Sequence, residues 1–292
     1  MNILLTGAPG FTGHHFTVAA QAAGHEITPL KSDLRDRQAL QEEIGALGAS
    51  FNAVVHLAGI SFVGHDDKRA FYDVNLFGTL NLLDALASNS VQIDCVLLAS
   101  SANVYGNCEA SPISESQPPA PINHYAMSKL AMEHLARNRA ARLPIVVVRP
   151  FNYTGPGQQG SFLIPKLVDH FVRKAPFVDL GNLDVEREFN DVRTVCDAYL
   201  RLLKGGKPGE IYNVCTGSPH ALRHLLDALT RLTGHVLQAR VHPDFVRANE
   251  VHRLCGSPVK LQAAIGSLRP IELEETLRWM LADARGLPAD RG

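Results

Sequence analysis

The sequence predicts an α/β fold, a doubly wound parallel sheet with a smaller, mostly helical lobe towards its C-terminal end. Three observations predict it. Short, continuously apolar runs alternate with helical patterns from residue 2 to residue 150. The first of those runs leads straight into the glycine-rich stretch "TGAPGFTG". After Pro150 the alternation loosens and helical patterns dominate. Strands covered on both faces read as unbroken apolar runs, and parallel neighbours need a crossover, usually helical, between them.

Taken in order, "NILLT" (2–6) is a buried strand and "HHFTVAAQAAG" (14–24) a helix stopped by Gly24. "EITPL" (26–30) is a second strand, weakened by Pro29, which has no N–H for a sheet ladder. "RQALQEEIGAL" (37–47) is helical, "AVVHLAG" (53–59) a strand and "AFYDVNLFGTLNLLDALAS" (70–88) a long helix. "DCVLLAS" (94–100) and "PIVVVRP" (144–150) are strands on either side of the helix "YAMSKLAMEHLARNRAAR" (125–142). The proline- and serine-rich loop 107–124 precedes that helix, and loops of this length in compact domains are often functional. Further on, 161–175, part of 188–206 and 219–234 read as helices, and "EIYNV" (210–214) as a strand that returns to the main sheet. The sheet domain is thus expected over 1–150 plus about 188–215, and a substrate-binding lobe over 151–187 and 216–292.

Composition narrows the function class. The 292 residues are 46% hydrophobic and 20% charged, with 28 basic and 29 acidic side chains, which is ordinary for a globular enzyme. A formal net charge of -1 gives no footprint for nucleic acid or an anionic membrane. No apolar run approaches the roughly 20 residues needed to cross a bilayer. The N-terminus lacks a basic leader, and the five cysteines (Cys95, Cys108, Cys196, Cys215, Cys255) are scattered with no C-x-x-C. Free thiols in a reducing, cytoplasmic compartment are expected.

Gly7, Gly10 and Gly13 sit between the first strand and the first helix. A pyrophosphate needs close backbone approach and the N–H groups of a helix N-terminus, and glycine permits both. In that context the spacing predicts a dinucleotide site. Asp33 lies about 20 residues beyond, where an acid would read the adenosine ribose. Lys31, nearer the end of the second strand, would instead receive a 2′-phosphate. NADH and NADPH both fit at this point, with the lysine leaning towards NADPH.

"YAMSK" puts Tyr125 and Lys129 four residues apart, on one face of a helix. A cation alongside would favour the phenolate and lower a phenol pKa that is otherwise near 10. "SSANVYG" (100–106) ends the preceding strand, at the carboxyl edge where doubly wound sheets bind ligands. Ser101 is thereby a candidate third hydroxyl, Ser100 is read as structural, and Tyr105 is expected to pack. His220 and His224 are read as solvent-facing residues of one helix, since nothing completes a metal set around them.

These motifs together, with "HLAG" (56–59), "NLFGTLNLL" (75–83), "RPFNYTGPGQ" (149–158), "REFNDV" (187–192) and "YNV" (212–214), resemble the short-chain dehydrogenase/reductase superfamily. The resemblance is to its extended, nucleotide-sugar-modifying branch, and within that to GDP-4-keto-6-deoxy-mannose reductases. It implies a Rossmann domain and an NAD(P)H-dependent reduction of the C4 ketone of a GDP-linked 4-keto-6-deoxy sugar. A nucleotide-sugar 4-epimerase is the alternative within the family, and a non-catalytic dinucleotide sensor the alternative outside it. It further implies that Gly7, Gly10 and Gly13, with Phe11 and Thr12, hold the dinucleotide, and that Leu57, Ala58 and Gly59 line its adenosine side. Asn75 would fix the helix near the nicotinamide half, Ser101, Tyr125 and Lys129 would be catalytic, and Asn152, Arg187 and Arg247 would meet the nucleotide sugar. Dehydratases of this family carry a glutamate two residues beyond the catalytic hydroxyl residue to remove the C5 proton. Here that position is Asn103, an amide that would bond substrate hydroxyls or hold the turn, so dehydration is not expected. The resemblance also implies a homodimer through helices 70–88 and 125–142.

Overall fold

The computed structural model describes residues 1–48, 51–89, 92–243 and 253–287. Six parallel strands form the central sheet: β1 (Asn2–Thr6), β2 (Glu26–Pro29), β3 (Ala53–His56), β4 (Cys95–Ala99), β5 (Ile145–Pro150) and β6 (Ile211–Val214). Their spatial order is β6-β5-β4-β3-β1-β2, so the chain reverses direction across the sheet between β1 and β3. Ligands of such sheets bind at that reversal, beyond the carboxyl ends of the strands. Pro29 is accommodated because β2 is the edge strand, where one side of the ladder is unpaired.

The crossovers are α1 (Phe11–Ala22), α2 (Arg37–Leu47), α3 (Thr79–Ser88) and α4 (His124–Arg137). Beyond β5 come α5 (Leu163–Val172), α6 (Val192–Gly205), α7 (Leu222–Thr233), α8 (Val259–Ile265) and α9 (Leu273–Ala284). The expected long helix at 70–88 is continuous but wider over Phe71–Gly78, where the spacing is that of a π-helix. Helix α4 ends at Arg137, five residues short of the reading from sequence, and turns carry the chain on to Leu143.

Alternate residues of each strand enter opposite cores, which is why the strands read as unbroken apolar runs. Ile3, Leu5, Val55, Leu97, Val146 and Val148 pack under α1 and α6. Leu4, Val54, Val96, Leu98, Ile145 and Val147 pack under α2, α3 and α4. A separate core gathers α5, α7 and α9 around Leu167, Phe171, Leu225, Leu277 and Leu281. Helix α8, expected in the second lobe, instead sends Leu261 into the core shared by α1 and α6. Its apolar face finds cover there because α6 and β6 have already returned to the sheet.

A strand Pro219–Ala221 precedes α7, so His220 lies on a strand and not on a helix with His224. The two rings nevertheless stack, with centroids 5.7 Å apart, and His220 is half-buried. All five cysteines are free. Among the described residues no helix is long and apolar enough to cross a membrane, and no cluster of His, Cys, Asp or Glu could hold a metal ion.

Candidate active site

The turn after β1 is built by close backbone contact. Gly7 has φ +73°, and a Cβ there would fall 2.6 Å from the Ala58 N, in the loop after β3. A Cβ on Gly13 would fall 2.0 Å from the Gly7 carbonyl oxygen. The Gly10 N–H closes the turn on Gly7 O at 3.0 Å, and Gly10 begins α1 without a side-chain cap. Uncapped first-turn N–H groups and bare backbone at the β1/β3 reversal fit a dinucleotide pyrophosphate. Phe11 and Thr12 in the same turn are engaged from across the molecule. Tyr153 stacks on Phe11 at 6.0 Å, and its hydroxyl meets Thr12 Oγ1 at 2.8 Å.

The loop after β3 closes the other side. The Leu57 N–H donates to Thr6 O, and the Ala58 N–H to Thr6 Oγ1 at 3.1 Å. A Cβ at Gly59 would fall 2.8 Å from Asn75 Oδ1 and 3.3 Å from Lys129 Nζ, so a side chain here would have to displace the Asn75 amide. Asn75 is fully buried; its Oδ1 accepts from the Ile60 N–H at 2.8 Å, and its Nδ2 donates to Ile60 O and to Ser128 Oγ. Asn75 thereby ties the loop to α4.

Tyr125, Lys129 and Ser101 come together, each less than a tenth exposed. Lys129 Nζ donates to Ala99 O at 2.8 Å, and burial pushes its pKa down to about 8 while Glu133 pulls it up. Burial pushes the Tyr125 phenol up, and its hydrogen bond with Ser101 opposes this. The sequence placed Lys129 as the cation that lowers the phenol pKa. In the structure one of the ammonium's three N–H groups meets a carbonyl, and the Ser101 hydroxyl is the group that opposes the rise at Tyr125. Asn103 turns inwards: its backbone N–H and its Nδ2 both donate to Ser101 Oγ, each at 3.1 Å.

Ser100 is structural, donating to Glu133 Oε1 at 2.5 Å. Glu133 also pairs with Arg149 (2.6 Å), both side chains being 3% exposed. The Arg149 guanidinium lies over the buried Tyr105 ring, whose hydroxyl donates to Asn213 Oδ1. Tyr105 therefore packs, as expected. Glu133 is an active-site neighbour that sequence reasoning passed over, although its spacing of four from Lys129 and eight from Tyr125 marks the same helix face.

His56 was also passed over; its signal was a lone polar residue in the apolar run "AVVH". It is buried at the end of β3, with Nδ1 2.7 Å from Thr6 Oγ1 and Nε2 2.8 Å from Thr79 Oγ1. Thr79 uses its own proton on Asn75 O, so its oxygen accepts from His56 Nε2–H and Nδ1 accepts from Thr6. Burial and the Lys129 charge push the imidazole down to about 3, in keeping with this neutral form.

At the end of β2, Lys31 and Ser32 donate backbone N–H groups to the Glu43 carboxylate. Asp33 is held by a two-pronged bond to Arg35 (2.6 Å at the shorter contact), which drops its carboxyl to about 2. Arg35 had no signal of its own in the sequence.

Of the candidates for the sugar nucleotide, Asn152 follows β5, and its carbonyl accepts from the Asn190 N–H. Arg187 lies half-buried on the strand Glu186–Glu188, opposite His220, with Nη1 donating to Glu186 O. Arg247 lies outside the described residues.

Comparison with known proteins finds a family and relatives that match most of the chain. The model of the NAD dependent epimerase/dehydratase family matches residues 3–215. The GDP-6-deoxy-D-mannose reductase of Pseudomonas aeruginosa is 36% identical over 297 residues, covering 96% of each chain. The GDP-6-deoxy-D-talose 4-dehydrogenase of Aggregatibacter actinomycetemcomitans is 35% identical over 272 residues, covering 91% of this chain and 92% of that one. The solved structure of RMD from Pseudomonas aeruginosa complexed with NADPH superposes with a TM-score of 0.90 at 35% identity, covering 98% of this chain and 99% of that one.

Proposed function

The chain belongs to the NAD dependent epimerase/dehydratase family, and from that premise we propose that it is a cytoplasmic reductase of the C4 ketone of a GDP-linked 4-keto-6-deoxy sugar, using NADPH in preference to NADH. The observation that carries this reading is a buried phenol, hydroxyl and ammonium beside a glycine cradle, with an amide rather than a carboxylate at position 103. A dehydratase needs a base at that place, and an amide is not one. The names of the two curated relatives support a GDP-linked deoxy sugar as substrate class.

When bound, the reduced nicotinamide supplies hydride to the carbonyl carbon. Tyr125 gives the carbonyl oxygen its proton, and Ser101 donates a hydrogen bond to the same oxygen. Lys129 holds the ribose hydroxyls of the nicotinamide half, and its charge favours the phenolate that Tyr125 becomes. Gly7, Gly10, Phe11, Thr12 and Gly13 seat the pyrophosphate, while Leu57, Ala58 and Gly59 line the adenosine side and Asn75 holds that loop. Lys31 and Arg35 flank the end of β2, where the adenosine ribose lies in doubly wound folds, and Arg35 takes up the charge of Asp33. That balance favours a 2′-phosphate. Asn152 meets the sugar and Arg187 the diphosphate, to which its planar fork is suited.

Purified protein mixed with GDP-4-keto-6-deoxy-mannose and NADPH should consume the reduced cofactor, and NMR of the product separates rhamno from talo configuration. Tyr125→Phe should lower kcat by about 10³-fold with NADPH affinity within about twofold of wild type. Unchanged absorbance with NADPH and NADH alike would overturn the reading. Tightly retained NAD with no demand for added reductant would make the protein a 4-epimerase.

A further inference from the structure

Ser101 Oγ has two lone pairs and one proton. One lone pair accepts the Asn103 backbone N–H, which makes Ser101 the cap of the short helix Ala102–Tyr105. The other accepts Asn103 Nδ2. With both acceptor positions filled, the hydroxyl can only donate.

We propose that Asn103 is a positioning residue, which occupies both acceptor sites of Ser101 Oγ and so commits the Ser101 hydroxyl to donate towards the oxygen that Tyr125 protonates. This deepens the reading above and rests on it. The consequence is directional. A serine with an open lone pair can accept the Tyr125 O–H, which diverts the proton from the ketone. A serine whose lone pairs are both taken cannot, so the Tyr125 proton stays available. Accepting two hydrogen bonds also strengthens the one that Ser101 donates. The backbone of any residue at 103 supplies the first donor, and only a side-chain N–H or O–H supplies the second. Alanine leaves one lone pair open. A carboxylate does the reverse of asparagine, taking the Ser101 proton for itself.

Two variants test this. Asn103→Ala should lower kcat about tenfold, the rate equivalent of one ordinary hydrogen bond, with sugar KM and NADPH Kd within about twofold of wild type. A raised KM with kcat unchanged would make Asn103 a sugar contact and overturn the proposal, as would unchanged kinetics. Asn103→Asp should lose about 10²-fold in kcat at pH 8. It should recover relative to wild type as pH falls towards the ordinary carboxyl pKa near 4, where a protonated Asp can donate again. A ratio of variant to wild type that is flat with pH counts against the proposal, because a merely structural cap would behave in that way. The third measurement needs no turnover. Titration of Tyr125 by NMR of ring-labelled tyrosine, assigned with Tyr125→Phe, should show its pKa raised in both variants, and no shift in either would overturn the proposal. If wild type reduces no GDP-linked 4-ketone, the proposed function fails while this titration still decides the role of Asn103.

Discussion

At Lys129 burial has drawn the ammonium down to about 8, while Glu133, one helical turn further on, pulls it up. The charge is present below that pH and is lost as pH rises through it. kcat/KM should therefore show an alkaline limb near pH 8, and Lys129→Gln should remove the limb while lowering activity throughout; an unchanged limb in that variant would assign it elsewhere. His56 has the opposite place in the pH range. Its folded pKa, about 3, lies below the ordinary 6.5, so between those values the unfolded chain binds a proton that the native imidazole refuses. The stability that follows is fully present above about pH 6.5 and is lost as pH falls towards 3. Urea unfolding at pH 7 and pH 4 should show wild type losing on the order of 3 kcal/mol more than His56→Gln, since the glutamine amide does not titrate. Equal losses would mean that the imidazole is not held neutral.

On α4, Tyr125, Lys129 and Glu133 recur every four residues, and the row ends on Arg149 from β5. The Glu133–Arg149 pair is buried, so removing one partner strands a charge. Arg149→Leu should destabilise by about 3–5 kcal/mol. The double change Glu133→Leu with Arg149→Leu should recover part of that loss, as buried pairs replaced whole by apolar groups often do. Denaturant midpoints for the two singles and the double decide this, and a double variant as unstable as the sum of the singles would show that the pair is needed as such. Much of the helical structure of the sheet domain was legible beforehand. The start of α2, its end and the Tyr-x-x-x-Lys face follow from local period and capping. The strand at His220 was not legible, because there tertiary pairing overrides a helical pattern: Pro219–Ala221 aligns antiparallel with Glu186–Glu188. The early end of α4 was not legible either, the backbone there tightening into successive turns within an otherwise helical pattern.

For the whole molecule, the sheet is covered on both faces, yet Phe77 is 52% exposed and Met127 41% exposed on the two helical segments that pack together outside it. Tyr72 on the first segment bonds His124 at the start of α4 and completes this face. These residues fit the homodimer that family resemblance implies. Sedimentation should give twice the chain mass for wild type, and Phe77→Glu with Met127→Glu should give the monomer. A wild-type monomer at micromolar concentration would exclude the dimer.

The sequence by itself determined what depends on near neighbours along the chain. The glycine spacing could build only a tight strand-to-helix turn, the apolar runs could lie only in a sheet covered on both faces, and Tyr125 and Lys129 had to share a helix face. Tertiary structure alone decided which polar groups meet. Thr12 finds Tyr153 across 141 positions, Ser100 finds Glu133 across 33, and His56 bridges Thr6 and Thr79. Even the Asn103 amide, two residues from Ser101, had a choice between the substrate space and the serine oxygen. A period of 3.6 or 2 residues says which face a side chain is on, but a hydrogen bond is satisfied within a few tenths of an ångström. Only the packed fold sets distances that finely.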